Sequence, residues 1–248
     1  MKHLLIIFIF FAFGLTSLCQ SLVPPGAGKI VNTAAGATST NFVIDPDWKV
    51  TTMQAGAAWG AYPNIKGSSF YSEKWNKGYI LLKNKLFAKN ISLSFNVYDN
   101  QIYFLQDSHV LVLNESIPVA EFGLFDQEDS NKATIFRCGF PPVGRNTEQT
   151  YYKVISDHTI ALLKHYTKSI VENTGTAEKT FLDDETWYVY NYADNKMTAI
   201  KKNKNSLTDA LPQYAQLIEA ITSQKNLKLK KENDWTVLFD ELNKQIKE

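Results

Sequence analysis

The chain has 248 residues, with 44% hydrophobic, 13% aromatic and 21% charged side chains and a formal net charge of +1. This apolar content excludes disorder, collagen and coiled coil, and it suffices to bury a core. The balanced charge supplies no global field to attract nucleic acid or anionic lipid.

The N-terminus carries an address pattern. Lys2 and His3 form a short basic start, Leu4 to Leu15 is almost wholly apolar, and Thr16, Ser17 and Cys19 supply small residues. That order predicts a secretory signal peptide over residues 1–19. The apolar run is about 12 residues, short of the roughly 20 that span a bilayer, so no transmembrane span is expected after signal removal. Ser17 and Cys19 occupy the small-residue positions for cleavage, which makes Gln20 the expected mature start. The alternative is an outer-membrane lipoprotein acylated at Cys19, a route disfavoured by Leu18 just before it. Loss of Cys19 leaves Cys138 as the sole cysteine and removes any intrachain disulfide. Cys138 lies in an apolar run and reads as a small buried hydrophobe rather than a nucleophile.

Residues 20–66 form an extended leader rich in Gly, Ala and Thr, with weak helix and strand patterns. Its Gly26-Ala-Gly28-Lys29 imitates half of a phosphate-binding loop. It lacks the second glycine at the required spacing and the Ser or Thr after the lysine.

A single β-rich domain with C-terminal helices is expected over residues 67–248. Tyr79–Lys83 reads as a strand ending in an Asn84-Lys85 turn. Ser92–Tyr98 alternates cleanly, with Leu93, Phe95 and Val97 on one face. Asp99-Asn100 and Asp107-Ser108 then turn the chain into Gln101–Gln106 and His109–Leu113, an antiparallel meander. Further strands are expected at Val119–Phe125, Lys132–Phe140, Tyr151–Ser156, Thr159–His165, Trp187–Tyr192 and Lys196–Ile200. The period then changes to helical. Leu211, Tyr214, Leu217, Ile218 and Ile221 share one face, with Pro212 in the first turn. Trp235, Leu238, Phe239, Leu242 and Ile246 share another, behind an Asn233-Asp234 cap. Lys225–Lys231 between them alternates and is expected to be extended. The predicted fold class is therefore α+β: a mostly antiparallel, curled β-sheet meander with two C-terminal α-helices.

Several of these residues form a familiar set: Gly67-Ser-Ser-Phe-Tyr71, Trp75, Gly78 with its apolar strand, Leu93–Tyr98, and the ending Leu227-Lys-Leu-Lys-Lys-Glu-Asn-Asp-Trp235. Together, over about residues 67–245, they resemble a widespread group of secreted, functionally uncharacterised Bacteroidota proteins. In that group a Gly-aromatic segment leads into a β meander, and the chain ends in a lysine-rich segment and short helix. The resemblance implies the fold but no activity and no catalytic residues. The long Gly/Ala/Thr leader departs from the group's pattern.

No catalytic motif is found. His109, His158 and His165 lack metal-ligand spacing, so no metal and no cofactor are expected. Asp126–Asn131 and Asp183-Asp184-Glu185 read as solvated turns rather than calcium loops. No nucleophile elbow or Ser-x-x-Lys occurs. Lysines cluster at Lys201-Lys202-Asn-Lys204 and at Lys225–Lys231. These read either as contacts to anionic glycan or membrane, or as solvated edges that block sheet association. Trp59, Tyr62, Phe70, Tyr71 and Trp75 crowd the approach to the first strand. They read as a plug for the open end of the sheet, or as a ligand-binding platform for sugar or peptide.

The expected function is an exported, non-catalytic interaction or ligand-binding module of the bacterial cell envelope, periplasmic or secreted. Its partner is an unknown protein, glycan or apolar ligand, and not nucleic acid. Alternatives are a carboxylate-dependent hydrolase acting on an envelope or glycan substrate, and a curled sheet that binds lipid.

Overall fold

The computed structural model describes residues 51–52, 62–106, 109–113, 119–129 and 131–246. The signal segment, most of the leader, Trp59 and the Asp107-Ser108 turn lie outside these.

Twelve strands make one sheet. They are β1 (Thr51–Thr52), β2 (Ile65–Lys66), β3 (Asn76–Leu82), β4 (Phe87–Asn96), β5 (Gln101–Gln106), β6 (His109–Val112), β7 (Val119–Phe125), β8 (Ala133–Arg137), β9 (Tyr152–Ser156), β10 (Ile160–Glu172), β11 (Lys179–Asn191) and β12 (Lys196–Ile200). The spatial order is β1-β6-β5-β4-β3-β7-β8-β9-β10-β11-β12, and β2 pairs with β11 off this path. Every pairing is antiparallel except β2 with β11. One meander thus runs outward from β3 to β6, and a second starts from the other edge of β3 and runs to β12. The sheet curls without closing into a barrel.

Two glycines sit where β3 and β7 meet most closely. A Cβ on Gly78 would lie 2.1 Å from the carbonyl oxygen of Gly123, and one on Gly123 would lie 2.2 Å from the Tyr79 ring. At Gly78 this is a close backbone approach that needs glycine, and at Gly123 the missing side chain makes room for the Tyr79 ring. The inside of the curl is filled. Phe122 and Phe136 stack at 5.0 Å, and Phe95 lies 5.2 and 5.1 Å from them. Ile80, Leu93, Ile102, Phe104 and Leu124 pack around these rings.

Three helices follow: α1 (Lys204–Ala210), α2 (Ala215–Gln224) and α3 (Glu232–Ile246), with a 3-10 turn at Pro212–Tyr214. They cover the face of β9–β12 that carries Ile160, Leu162, Trp187, Val189 and Ile200. The expected stripe of the last helix lies in this layer, with Trp235, Leu238, Phe239 and Leu242 fully buried. Asn243 anchors α3 to the sheet: its Oδ1 accepts from the Ile160 amide at 2.8 Å, and its Nδ2 donates to the Ile160 carbonyl at 2.9 Å. The opposite face of β9–β12 holds a tyrosine-rich cluster of Phe140, Tyr152, Leu163, Tyr188 and Tyr190.

Several expectations need correction. Three helices replace the expected two, because α1 buries only Leu207 and so shows no apolar stripe. The helix expected from Leu211 begins as a 3-10 turn at Pro212 and becomes α-helical at Ala215. Asn233 and Asp234 lie inside α3 rather than capping it, since the helix starts at Glu232. Lys225–Lys231 forms no strand, because Asn226 and Leu229 take left-handed backbone angles, φ 52° and 54°. β10 continues seven residues beyond His165, and Asp183-Asp184-Glu185 lies within β11 rather than in a turn. The β4–β5 hairpin turns over four residues, 97–100, with Asn96 paired to Gln101. Asn96 directs this: its Oδ1 accepts from the Asp99 amide at 3.2 Å, while the Ser69 carbonyl takes the Val97 amide at 3.0 Å. The Asp126–Asn131 segment is a turn as expected, with Asp126 Oδ1 accepting from the Glu128 amide at 2.7 Å.

Candidate functional site

The two lysine runs of the sequence meet at one place. Lys202 and Asn203 come from the passage between β12 and α1, and Lys204 is the first residue of α1. Thr222 and Ser223 come from the last turn of α2. Leu227, Lys228, Leu229 and Lys230 come from the link to α3. Together they line a groove of about 580 Å³.

Local sequence shapes both walls. Asn203 caps α1, its Oδ1 accepting from the Ser206 amide at 2.9 Å, and the Ser206 hydroxyl accepts in turn from the Lys201 amide at 2.9 Å. The two bonds fix the course of the chain between Lys201 and Lys204. On the other wall, α2 ends in a Schellman motif. The Leu227 amide donates to the Thr222 carbonyl at 2.9 Å, the Asn226 amide donates to Ser223 at 3.2 Å, and Asn226 takes the left-handed position. Leu229 follows with φ 54°, a strained conformation for leucine. Its side chain is buried, and its carbonyl accepts from Trp235 Nε1 at 2.9 Å. That anchor places Lys228 and Lys230 on either side of a fixed residue.

The four lysines differ in their partners. The Lys204 ammonium pairs with Glu219 of α2. Lys202 lies 5.3 Å from the centroid of the Trp187 ring, a cation–π distance. Lys228 and Lys230 are exposed and have no carboxylate partner among the described residues. The lining contains no acidic side chain.

Two charge clusters built around buried cations behave differently. Beside the groove, the Lys164 ammonium bonds Glu232 at 2.8 Å and Glu185 at 3.0 Å, and it lies 4.4 Å from the Trp187 centroid. Lys153 completes the set at 2.7 Å from Glu232. Burial alone would lower the Lys164 pKa, but Glu232 and Glu185 outweigh it and raise it. Burial likewise works against ionised Glu232, yet Lys153 and Lys164 hold its pKa below the ordinary glutamate value. On the tyrosine-rich face, Arg137 binds Glu121 through Nε at 2.7 Å and Asp157 through Nη1. The Tyr79 hydroxyl donates to Glu121 and the Tyr192 hydroxyl to Asp157, both at 2.7 Å. Burial opposes the Arg137 charge, but the two carboxylates push its pKa up. The Lys164 cluster balances two ammonium groups with two carboxylates, the Arg137 cluster holds one carboxylate more than its single cation, and both tie distant elements together.

The expected aromatic platform separates into three places. Tyr62 packs edge-on against Tyr98 and Phe181 at 5.2 and 5.3 Å, and its hydroxyl donates to the Asp99 carboxylate at 2.9 Å. Phe70 meets Tyr103 at 5.4 Å, and Trp75 packs on the same small cluster. Tyr71 sits on the main core, against Phe136 at 5.0 Å and Tyr166 at 5.1 Å. Phe70 and Tyr71, adjacent in sequence, therefore serve opposite faces of the sheet. Trp59 lies outside the described residues.

Cys138 is half-buried; its thiol donates to the Val119 carbonyl, and burial pushes its pKa up. His165 lies mid-strand in β10 rather than at a strand end. It packs on Tyr152 at 5.3 Å, with Asn146 Nδ2 at 3.3 Å from Nδ1. Burial lowers its pKa. Among the described residues, no group of three His, Cys, Asp or Glu is placed to hold a metal ion. No described helix is long and apolar enough to cross a membrane.

The sequence signal for the groove was present as two lysine runs. Their convergence was not readable, because it depends on α1 and α2 folding back between them. No protein-family model matches the chain, no curated protein is similar to it, and no solved structure resembles it.

Proposed function

We propose that this protein is an exported, non-catalytic ligand-binding module of the cell envelope, with the lysine-walled groove as its contact surface. The observation that carries the reading is the distribution of charge. The buried cations Arg137 and Lys164 are matched by carboxylates, whereas Lys228 and Lys230 have no carboxylate partner among the described residues and sit on a shaped, anchored wall. Export rests on the N-terminal pattern of basic start, apolar run and small residues. The carboxylate-hydrolase alternative lacks support, because Glu121 and Asp157, which meet across the fold, are both held by Arg137. Lipid enclosure lacks it too, because phenylalanines fill the curl.

The test is a thermal-shift screen of neutral and charged glycans and peptides, run beside product analysis. A binder at a hundred times its dissociation constant stabilises the native state by about 2.7 kcal/mol, which a melt resolves easily. Stabilisation by one chemical class without product is the expected result. Turnover of any member would overturn the reading.

A further inference from the structure

We infer that the groove binds a linear acidic polysaccharide. This inference rests on the reading of the groove as the ligand-contact surface and goes further by naming the ligand's chemistry.

The argument runs through what lines the groove and what does not. Four lysines from two chain segments, Lys202 and Lys204 from one and Lys228 and Lys230 from the other, line the groove with no carboxylate in the lining; Lys204 pairs with Glu219 outside it, and Lys228 and Lys230 have no carboxylate partner among the described residues. Such a set favours several negative charges on one ligand over a single charge, because each lysine acts as a point charge rather than a fork. The lining has no arginine to clasp one phosphate in two-pronged fashion. Its volume of about 580 Å³ falls within the roughly 300–1,000 Å³ typical of ligand sites, which suits a stretch of several sugar units.

Two other polyanionic surfaces fit less well. Nucleic acid bound as a single strand wants aromatic rings on which bases stack, and the groove presents none. A membrane surface wants exposed aromatic or large apolar side chains beside the lysines. Here Leu229 is buried, and the exposed large hydrophobics Leu86, Phe87, Tyr98, Val171 and Leu182 all lie outside the lining. The remaining polar groups suit hydroxyl-rich sugars. Ser223 is exposed, and Asn203 uses its Oδ1 in the cap, which leaves its amide N–H groups to donate.

The backbone at Leu229 bears on how firmly this wall is held. A leucine at φ 54° persists only when surroundings enforce it, and Trp235 and the core do so here. The enforced conformation fixes the segment that carries both unmatched lysines.

The experiment measures binding by calorimetry of the chain with polygalacturonate and dextran sulfate, beside neutral dextran, inorganic phosphate, oligothymidylate and phosphatidylglycerol vesicles. Both acidic polysaccharides should bind, with affinity falling between about 25 and 150 mM salt. The log–log slope should be no steeper than about four, one counterion per lysine. Neutral dextran and phosphate should not bind. Lys228→Glu with Lys230→Glu should lower the affinity about tenfold or more, while Lys74→Glu with Lys77→Glu, the same charge change elsewhere, should not. Equal loss in both pairs would overturn the proposal as non-specific charge attraction. Tighter binding of oligothymidylate or of vesicles would replace the ligand class. Binding of neutral dextran alone would refute the acidic ligand yet leave the binding-module reading intact, whereas breakdown of polygalacturonate would refute that reading itself.

Discussion

Replacing Trp235 by alanine tests how the helical layer is held. The side chain is fully buried, lies 5.6 Å from the Trp187 ring and donates its indole N–H to the Leu229 carbonyl at 2.9 Å. Truncating a packed tryptophan costs about 3–5 kcal/mol through lost burial and the cavity left behind. The Leu229 carbonyl also loses its donor, which adds about 1 kcal/mol. For a domain of this size, each kcal/mol moves the melting temperature by about 2–4 °C, so a drop of roughly 10–20 °C is expected. Trp235→Phe should lose a smaller share, since it keeps most of the apolar volume and gives up the hydrogen bond. Lys244→Ala, on the exposed side of the same helix, should leave the melt in place. Thermal melts followed by circular dichroism measure all three. A Trp235→Ala protein that melts within about 2 °C of the parent would refute the reasoning, because no cavity of that size is so nearly free.

Three further outcomes follow from buried groups. Burial holds the His165 pKa below its ordinary 6.5. As pH falls below that value the unfolded chain takes up a proton that the native state refuses, so stability is lost on acidification and unaffected above it. Urea midpoints near pH 7.5 and 5.5 should show this loss in the parent and less of it in His165→Gln; equal losses would contradict it. Gly78→Ala drives a methyl into the Gly123 carbonyl and should lower the urea midpoint sharply, whereas Gly175→Ala, with its nearest neighbour at 3.4 Å, should not. Arg137→Met leaves Glu121 and Asp157 buried without their cation, at a cost of about 3–5 kcal/mol. The gap to the parent should narrow as acid protonates the freed carboxylates, and a gap that stays constant with pH would argue against that origin.

The half-buried strands were legible because their faces differ. Leu93 and Phe95 alternate with Ser92 and Ser94, and the period of two survives. It does not survive in the outer halves of β10 and β11. There Lys168, Ser169, Asp183, Asp184 and Glu185 leave little apolar signal on either face, and the strand continues through its partner rather than its pattern. Even in β4 the alternation misleads about burial: Ser94 and Asn96 are 1% exposed, because Phe70 and Tyr103 cover the polar side as well. α1 offered only Leu207 to the eye, though Asn203 three residues before Ser206 was a usable cap. The alternating lysines of 225–231 imitate a strand, and what stops them is the helix-ending geometry at Asn226, which the sequence marks only by an asparagine. The aromatic group near the first strand was visible as composition, but two neighbours, Phe70 and Tyr71, diverge to opposite faces, a separation set by pairing with β4.

The hairpin of β10 and β11 has a consequence for how the chain reaches this structure. Its thirteen residue pairs radiate from the short link between Glu172 and Lys179, so each new pair closes almost no additional loop. Such a ribbon can zip within microseconds of forming its turn. The parallel pairing of β2 with β11 joins Ile65 to Lys179, more than a hundred residues apart, and must wait for a large loop to close. β2 covers only Lys179 and Thr180, and β12 covers Trp187 to Asn191, so among the described residues the acidic stretch between them has no strand partner on that edge. Its row of Asp183, Asp184 and Glu185 keeps one chain from annealing to the next along that edge, before and after β2 docks. Pulse-labelled hydrogen exchange during refolding should find the amides that join β10 to β11 protected before those of Ile65 and Lys66.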